Sequence, residues 1–189
     1  MRIERFETGG GRIILSASLL LVILCTGARV SAHVEKGAMP DSVAEMEYRI
    51  LLEFNPRDTA TRSQLGMALL RLNKLAEAEK EFRKILESEP KNFGALDGLG
   101  LTLFKQKRAN AALPHLLSAI RIRPNDIMIH LHLGQCLAAD GQTETARQTL
   151  ITGLELLNRQ TASAGKEHQL AEFKAALAAL PKKTTPALR

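Results

Sequence analysis

Tryptophan is missing from this chain, tyrosine occurs once, at Tyr48, and aromatic residues fill 4% of 189 positions. A core built with so few rings must be filled by Leu, Ala and Ile. Runs of Val, Thr and aromatics of the kind that build strands are lacking as well. Alanine and leucine lead the helix-propensity ranking, so the composition predicts an all-α fold. The two cysteines, Cys25 and Cys136, are too few for a disulfide framework. No Gly-rich phosphate loop, CxxC pair or GxSxG turn occurs. His130 and His132 stand two apart, on different faces of a helix, and cannot chelate as an i, i+4 pair would. The expectation is a protein that is not an enzyme and uses no cofactor and no metal.

A long apolar run is lacking too. The longest, Ile13–Cys25, has 13 residues, well short of the roughly 20 that a membrane-crossing helix needs. It follows Arg2, Arg5 and Arg12 and precedes the small residues of TGARVSA, which is the order of a secretory signal peptide over residues 1–32. Cleavage is expected after Val30-Ser31-Ala32; if the leader is retained, it anchors the chain in a membrane. Lipidation at Cys25 is disfavoured by bulky Leu24 before it. The expected location is exported, periplasmic or secreted, with an inner-membrane anchor facing the periplasm as the alternative. Cleavage would make His33 the N-terminus, an arrangement some copper sites use, yet no second ligand stands near it.

Excess charge is small where it would matter. Four Arg and two Glu leave with the leader, lowering the net charge from +6 to +4, and Lys182, Lys183 and Arg189 hold most of the remainder in the tail. A near-neutral body without stacking aromatics argues against a nucleic-acid surface. Cys136 then has no partner, which predicts burial.

What the chain does have is a period. Pro56, Pro90 and Pro124 are 34 apart, as are the Leu-Gly pairs at 65, 99 and 133, and Leu69, Leu103 and Leu137. Ala44, Ala78, Ala112 and Ala146 keep the same step, and so do Tyr48, Phe82, Leu116 and Leu150, and Leu52, Leu86, Ile120 and Leu154. Within one period Leu65, Leu69 and Leu72 form one helical stripe, and Ala78, Phe82, Ile85 and Leu86 another. Two stripes joined by a short turn must bury each other, with Gly66 and Ala78 small enough for close approach. The proline then ends the second helix by biasing its predecessor away from helical geometry.

Leu-Gly, a large apolar residue, Ala, an aromatic or Leu, and Pro at a step of 34 resemble the tetratricopeptide repeat. The resemblance covers residues 41–158, with Arg62, Leu96 and His130 where the family has Trp, Leu69, Leu103 and Leu137 where it has Tyr, and Asn158 in place of the last Pro. It implies a right-handed superhelical solenoid of antiparallel helix pairs: a half repeat at 41–56 and full repeats at 59–92, 93–126 and 127–160. Helices are predicted at 41–54, 59–72, 75–88, 93–106, 109–122, 127–140 and 143–157. Ser42 with Glu45 predicts a capping box, Gly141 a left-handed helix end, and Pro114 a late start at an Asn110 cap or a kink. Leu170, Phe173, Leu177 and Leu180 mark a capping helix within 163–180, and residues 181–189 read as a disordered basic tail. Glu77, Glu79, Glu81, Glu87 and Glu89 read as solubilising charge, and His115 and His168 as solvated helix residues.

In proteins of this family the stacked first helices line a concave groove. Carried onto this chain, the residues facing it are Ser63, Met67, Leu70 and Arg71; Asp97, Leu101, Phe104 and Lys105; and Leu131, His132 and Gln135. Met67, Leu70, Leu101, Phe104 and Leu131 would form an apolar patch rimmed by Arg71 and Lys105, the composition of an interaction site. Ser63 and Met67 stand where a Lys/Asn clamp for a chaperone's acidic C-terminus would need its ligands, which argues against a co-chaperone. The resemblance therefore implies a scaffold or adaptor of the bacterial cell envelope that binds an extended or helical segment of another protein. Two alternatives are a membrane-anchored accessory subunit of an envelope assembly for secretion, pilus biogenesis or cytochrome maturation, and a structural protein that self-associates.

Overall fold

The computed structural model describes residues 40–161 and 165–181. The expected signal peptide, His33 and most of the basic tail lie outside them. Eight helices and no strand occur among the described residues: α1 Asp41–Phe54, α2 Thr59–Arg71, α3 Leu75–Ser88, α4 Phe93–Lys105, α5 Ala109–Ile122, α6 Ile127–Ala139, α7 Thr143–Arg159 and α8 Lys166–Ala179. The all-α expectation and the periodic helices are borne out. α7 runs two residues past its predicted end because Asn158 leaves the chain without the proline that stops α3 and α5.

The local signals recur at the repeat step. Each first helix of a pair opens on an Asx cap: Asp58 accepts from the N–H groups of Ala60 and Thr61, Asn92 from Ala95, and Asp126 from Met128 and Ile129. Each first helix closes in one way as well. The N–H of Lys74 donates to the Leu69 carbonyl at 2.8 Å and that of Asn73 to Leu70 at 3.1 Å, and the same two bonds recur at Arg108/Lys107 and Gln142/Gly141. This double bond requires a left-handed residue. Asn73 (φ 59°), Lys107 (φ 64°) and Gly141 (φ 83°) supply it, so the Gly141 expectation holds and has two counterparts that glycine does not mark.

The Ser42 cap and the late start of α5 at Asn110 are not found. Ser42 does not cap α1: the helix begins on Pro40, whose carbonyl accepts from Val43 and Ala44, and Glu45 turns instead to Arg49 and Lys74. Pro114 neither delays nor ends α5, which starts on Arg108 at Ala109 and runs through it. The acceptor that Pro114 cannot serve is the carbonyl of Asn110, an exposed residue of the first turn, where an unpaired carbonyl can be solvated at little cost.

Adjacent helices along the chain pack on each other throughout. Beyond that, the packing is one-sided: α2 packs on α4, α4 on α6 and α6 on α8, whereas α1, α3, α5 and α7 do not pack on one another, α1 reaching α3 through the ion pair of Arg49 with Glu77. A stack whose first helices meet while its second helices splay is curved, with α2, α4, α6 and α8 on the inner side. The aromatic of the repeat holds the joint. The Phe82 ring lies against Gly66 of its own pair and Gly98 of the next, and a Cβ on Gly66 would sit 2.8 Å from that ring. Leu116 and Leu150 fill the same place over Gly100 and Gly134, where a Cβ would meet them at 2.6 Å. At the C-terminal end Phe173 of α8, fully buried, seats against Gly153, and the Pro181 carbonyl accepts from Arg147 at 2.6 Å. These contacts fix α8 at the end of the first-helix row, as the capping-helix expectation required.

Candidate functional site

The inner side is built from first helices, of which α4 and α6 are apolar almost all round because each is covered on several sides. α6 buries Ile127, Ile129, His130, Leu131, Leu133, Gly134, Cys136 and Leu137. The open arc is therefore narrower than the repeat pattern alone suggests. Leu70 and Leu131, expected to line the groove, are 6% and 2% exposed and belong to the core. Neighbouring first helices cover the positions beside the packing stripe, so neither offers a surface. Met67 at 38% exposure, half-buried Leu101 and half-buried Phe104 remain as the apolar face.

The polar members sort themselves by partner. Arg71, exposed, donates from Nε to Asp41 Oδ1 of α1 at 2.7 Å, so this rim cation is already engaged; its bond is the first cause holding the Asp41 carboxyl below its usual range. Lys105 is exposed. Ser63 is half-buried and faces the start of α4, with its Oγ close to Gly94. His132 Nδ1 lies 2.7 Å from Asp97 Oδ1, tying α6 to α4 across the groove floor. The structure thus brings together two residues that the sequence placed in the same face without pairing them.

Phe104 and Gln135 open onto a cleft of about 460 Å³ whose other walls are Ala138, Leu150 and, from α8, Glu172, Ala175, Ala176 and Ala179. This is the size range of pockets that take a side chain or small ligand. Its walls are mostly apolar, with one amide and one carboxylate at the rim. α8 therefore forms part of the inner face, a contribution that the 34-residue pattern could not reveal because α8 lies outside it.

Several charges read as solvated have partners. Glu81 is 7% exposed and takes Arg62 Nη1 at 2.6 Å and Lys84 Nζ at 2.8 Å. Burial raises its pKa, and those two bonds outweigh it and bring it below the ordinary value. Glu45 binds Arg49 one turn on and Lys74 at the next helix start; one repeat later Glu79 binds Arg83 and Arg108 in the same geometry. The third repeat has Leu113, Leu117 and Gln142 at those positions and no such ion cluster. Glu77, Glu87 and Glu89 are exposed as expected.

Of the histidines, His130 is buried as its Trp-like position implies, with Nε2 2.8 Å from the carbonyl of Pro124; Arg62, two repeats earlier, donates to the carbonyl of Pro56 in the same way. His115 is half-buried and not solvated; burial first, then the charge of Arg83, lowers its pKa. His168 is exposed. Cys136 is buried, donates to the Ala109 carbonyl at 3.4 Å, and burial followed by the charge of Asp140 pushes its thiol up to about 11. A thiol so placed is not a nucleophile at neutral pH. Among the described residues no three His, Cys, Asp or Glu side chains converge as a metal site.

Sequence profiles described as "Tetratricopeptide repeat" match residues 63–127 and, separately, 103–180. Solved structures with the same fold include TTC0263, a thermophilic TPR protein of Thermus thermophilus, 22% identical over 72% of this chain and 74% of that one, with a TM-score of 0.60. Another is MamA from residue 41 onward, from Desulfovibrio magneticus RS-1, 22% identical over 73% and 80%, with a TM-score of 0.57. A third is YrrB, described as a TPR protein with an unusual peptide-binding site, 22% identical over 73% and 68%, with a TM-score of 0.55. None of the curated proteins matches the chain.

Proposed function

The chain belongs to the tetratricopeptide repeat family, a family of protein-interaction scaffolds, and from that premise we propose that its inner face holds a segment of another protein without acting on it chemically. The observation that carries this reading is the run of exposed and half-exposed apolar side chains, Met67, Leu101 and Phe104, that continues into the cleft between α4, α6 and α8. A side chain of the bound segment enters the cleft beside Phe104, and Gln135 and Glu172 meet the polar atoms next to it. Lys105 sets direction at the open rim, while Arg71 shares its charge with Asp41. A peptide-binding site on YrrB, a protein of the same fold, is in keeping with this reading.

The order of charged, apolar and small residues before Ala32 supports an exported adaptor of a bacterial envelope, with a tethered form if the leader stays on. Leu101→Asp places a charge in the apolar face at a half-buried site on α4. Affinity capture by the full-length chain should lose its specific partner in this variant while far-ultraviolet circular dichroism keeps the helical signal. Capture unchanged by Leu101→Asp, with the fold intact, removes the inner face from the account.

A further inference from the structure

The chain leaves α8 at the edge of the cleft that α8 completes. The helix ends at Ala179, and Leu180 turns out of helical geometry (φ −73°, ψ 143°) with its side chain buried. The carbonyl of the next residue, Pro181, is held by Arg147 of α7 at 2.6 Å. Both ends of this exit border the cleft. Ala179 is one of its walls, and Arg147 stands three residues before Leu150, which is another. Residues 182–189, KKTTPALR, lie outside the described part and start from this fixed point.

The chemistry of the cleft is narrow. Among the described residues Glu172 is the one charge in its walls and Gln135 the one other polar side chain; the rest are Phe104, Leu150 and four alanines. The small alanine walls leave the space in front of Phe104 open to a large side chain. Glu172 is half-buried, and the group that approaches its Oε1 is exposed His168, at 3.6 Å. The site therefore suits one bulky apolar group with a cation beside it, the apolar group supplying the burial and the ion pair the direction.

Residues 182–189 carry that combination. Their charges are all positive, Lys182, Lys183 and Arg189, and their one large apolar side chain is Leu188, next to Arg189. The reach is ample. From Ala179 to Glu172 the cleft follows α8 for about 10 Å at the helical rise. The seven residues from Pro181 to Leu188 span up to about 23 Å when extended. The chain can turn back along α8 with length to spare. Because the segment is tethered beside the cleft, its docking is intramolecular, and a contact too weak to hold a free peptide is populated.

We propose that residues 182–189 fold back into this cleft instead of trailing free as their composition suggests, with Leu188 seated beside Phe104 and Arg189 on Glu172. The tail is then a built-in occupant of the inner face. Any other segment that enters the cleft must displace it. That consequence rests on the function proposed above, whereas the docking itself stands or falls apart from it.

The chain has no tryptophan, so Leu188→Trp in the full-length chain supplies a single fluorophore that reports the surroundings of position 188. Its emission should lie at the short wavelengths of an apolar site and resist quenching by acrylamide, equally at every protein concentration. Glu172→Lys, which reverses the charge, and Ala175→Arg, which puts a bulky cation in the cleft, should each move the emission to the long wavelengths of water. Glu172 is half-buried and Ala175 exposed, so circular dichroism should keep the helical signal in both. Water-like emission from Leu188→Trp alone overturns the proposal. So does short-wavelength emission that neither second change moves, which places Leu188 elsewhere on the protein, and so does a shift that appears only as concentration rises, which assigns the cleft to the tail of a second copy.

Discussion

His132 of α6 bonds Asp97 of α4 at 2.7 Å, with both side chains largely covered. The two first helices are therefore joined by a directed contact at the floor of the inner face as well as by apolar packing. A net hydrogen bond of this kind contributes about 0.5–1.5 kcal/mol. Asp97→Ala and His132→Ala should each lower stability, and the double variant should lose less than the sum of the two, with a coupling of about that size. Urea unfolding of the four proteins of the cycle measures it. Strict additivity would mean that the contact contributes nothing to the stability of the stack.

Gly98→Ala should be among the more damaging conservative changes in the chain. A methyl there runs into the Phe82 ring, which is itself fully buried between two helices and has nowhere to go. Overpacking of this kind costs about 1–3 kcal/mol. Gly94→Ala, four residues earlier in the same helix, meets nothing nearer than 3.6 Å and should be neutral or stabilising by about 0.5–1 kcal/mol. Thermal melts of the pair give the comparison, and equal behaviour would place Gly98 outside the repeat joint.

Acid should loosen the solenoid in two stages. His115 has a lowered pKa, chiefly from burial, so the unfolded chain takes its proton more readily than the folded one. That contribution to stability is present above about 6.5, the ordinary value, and is lost as pH falls from there toward the folded value. The carboxylates follow. Glu45 is held low first by its bond from Lys74, against burial and with help from Arg49, and Asp58 first by the hydroxyl of Thr61. Their stabilisation is present above the ordinary carboxylate range near 4 and is lost as pH falls through the lower folded values. The melting temperature should dip below pH 6.5 and fall more steeply below about 4, and His115→Gln should flatten the first dip. A melting temperature that rises on acidification from pH 7 to 3 contradicts these assignments.

The repeat was legible in the sequence because each turn of it demands the same residue type at the same place: a Gly where a ring or a Leu of the partner helix presses, an Ala where helices approach, a Pro where a helix must stop. The caps at Asp58, Asn92 and Asp126 obey the same step and were readable in the same way, two residues after each proline. Lys107 hid its left-handed turn because the residue type gives no hint of it, and only its alignment with Gly141 does. The inner face was half legible. Phe104, Leu101 and Met67 stay on the surface, whereas Leu70 and Leu131 are buried because a first helix in a stack is covered on more sides than one helix pair implies. Ion pairs such as Glu79 with Arg108 and the share of α8 in the cleft depend on how successive pairs curve, which is set by packing across repeats and not by spacing within one.

The central claim is that partner protein is held on the inner side of the curve. Site-specific photocrosslinking tests it most directly, with a photoreactive phenylalanine analogue placed at Phe104 in the cleft or at Lys80 on the outward side of α3. The account expects a partner adduct from position 104 and none from position 80; adducts from position 80 with none from position 104 would contradict it.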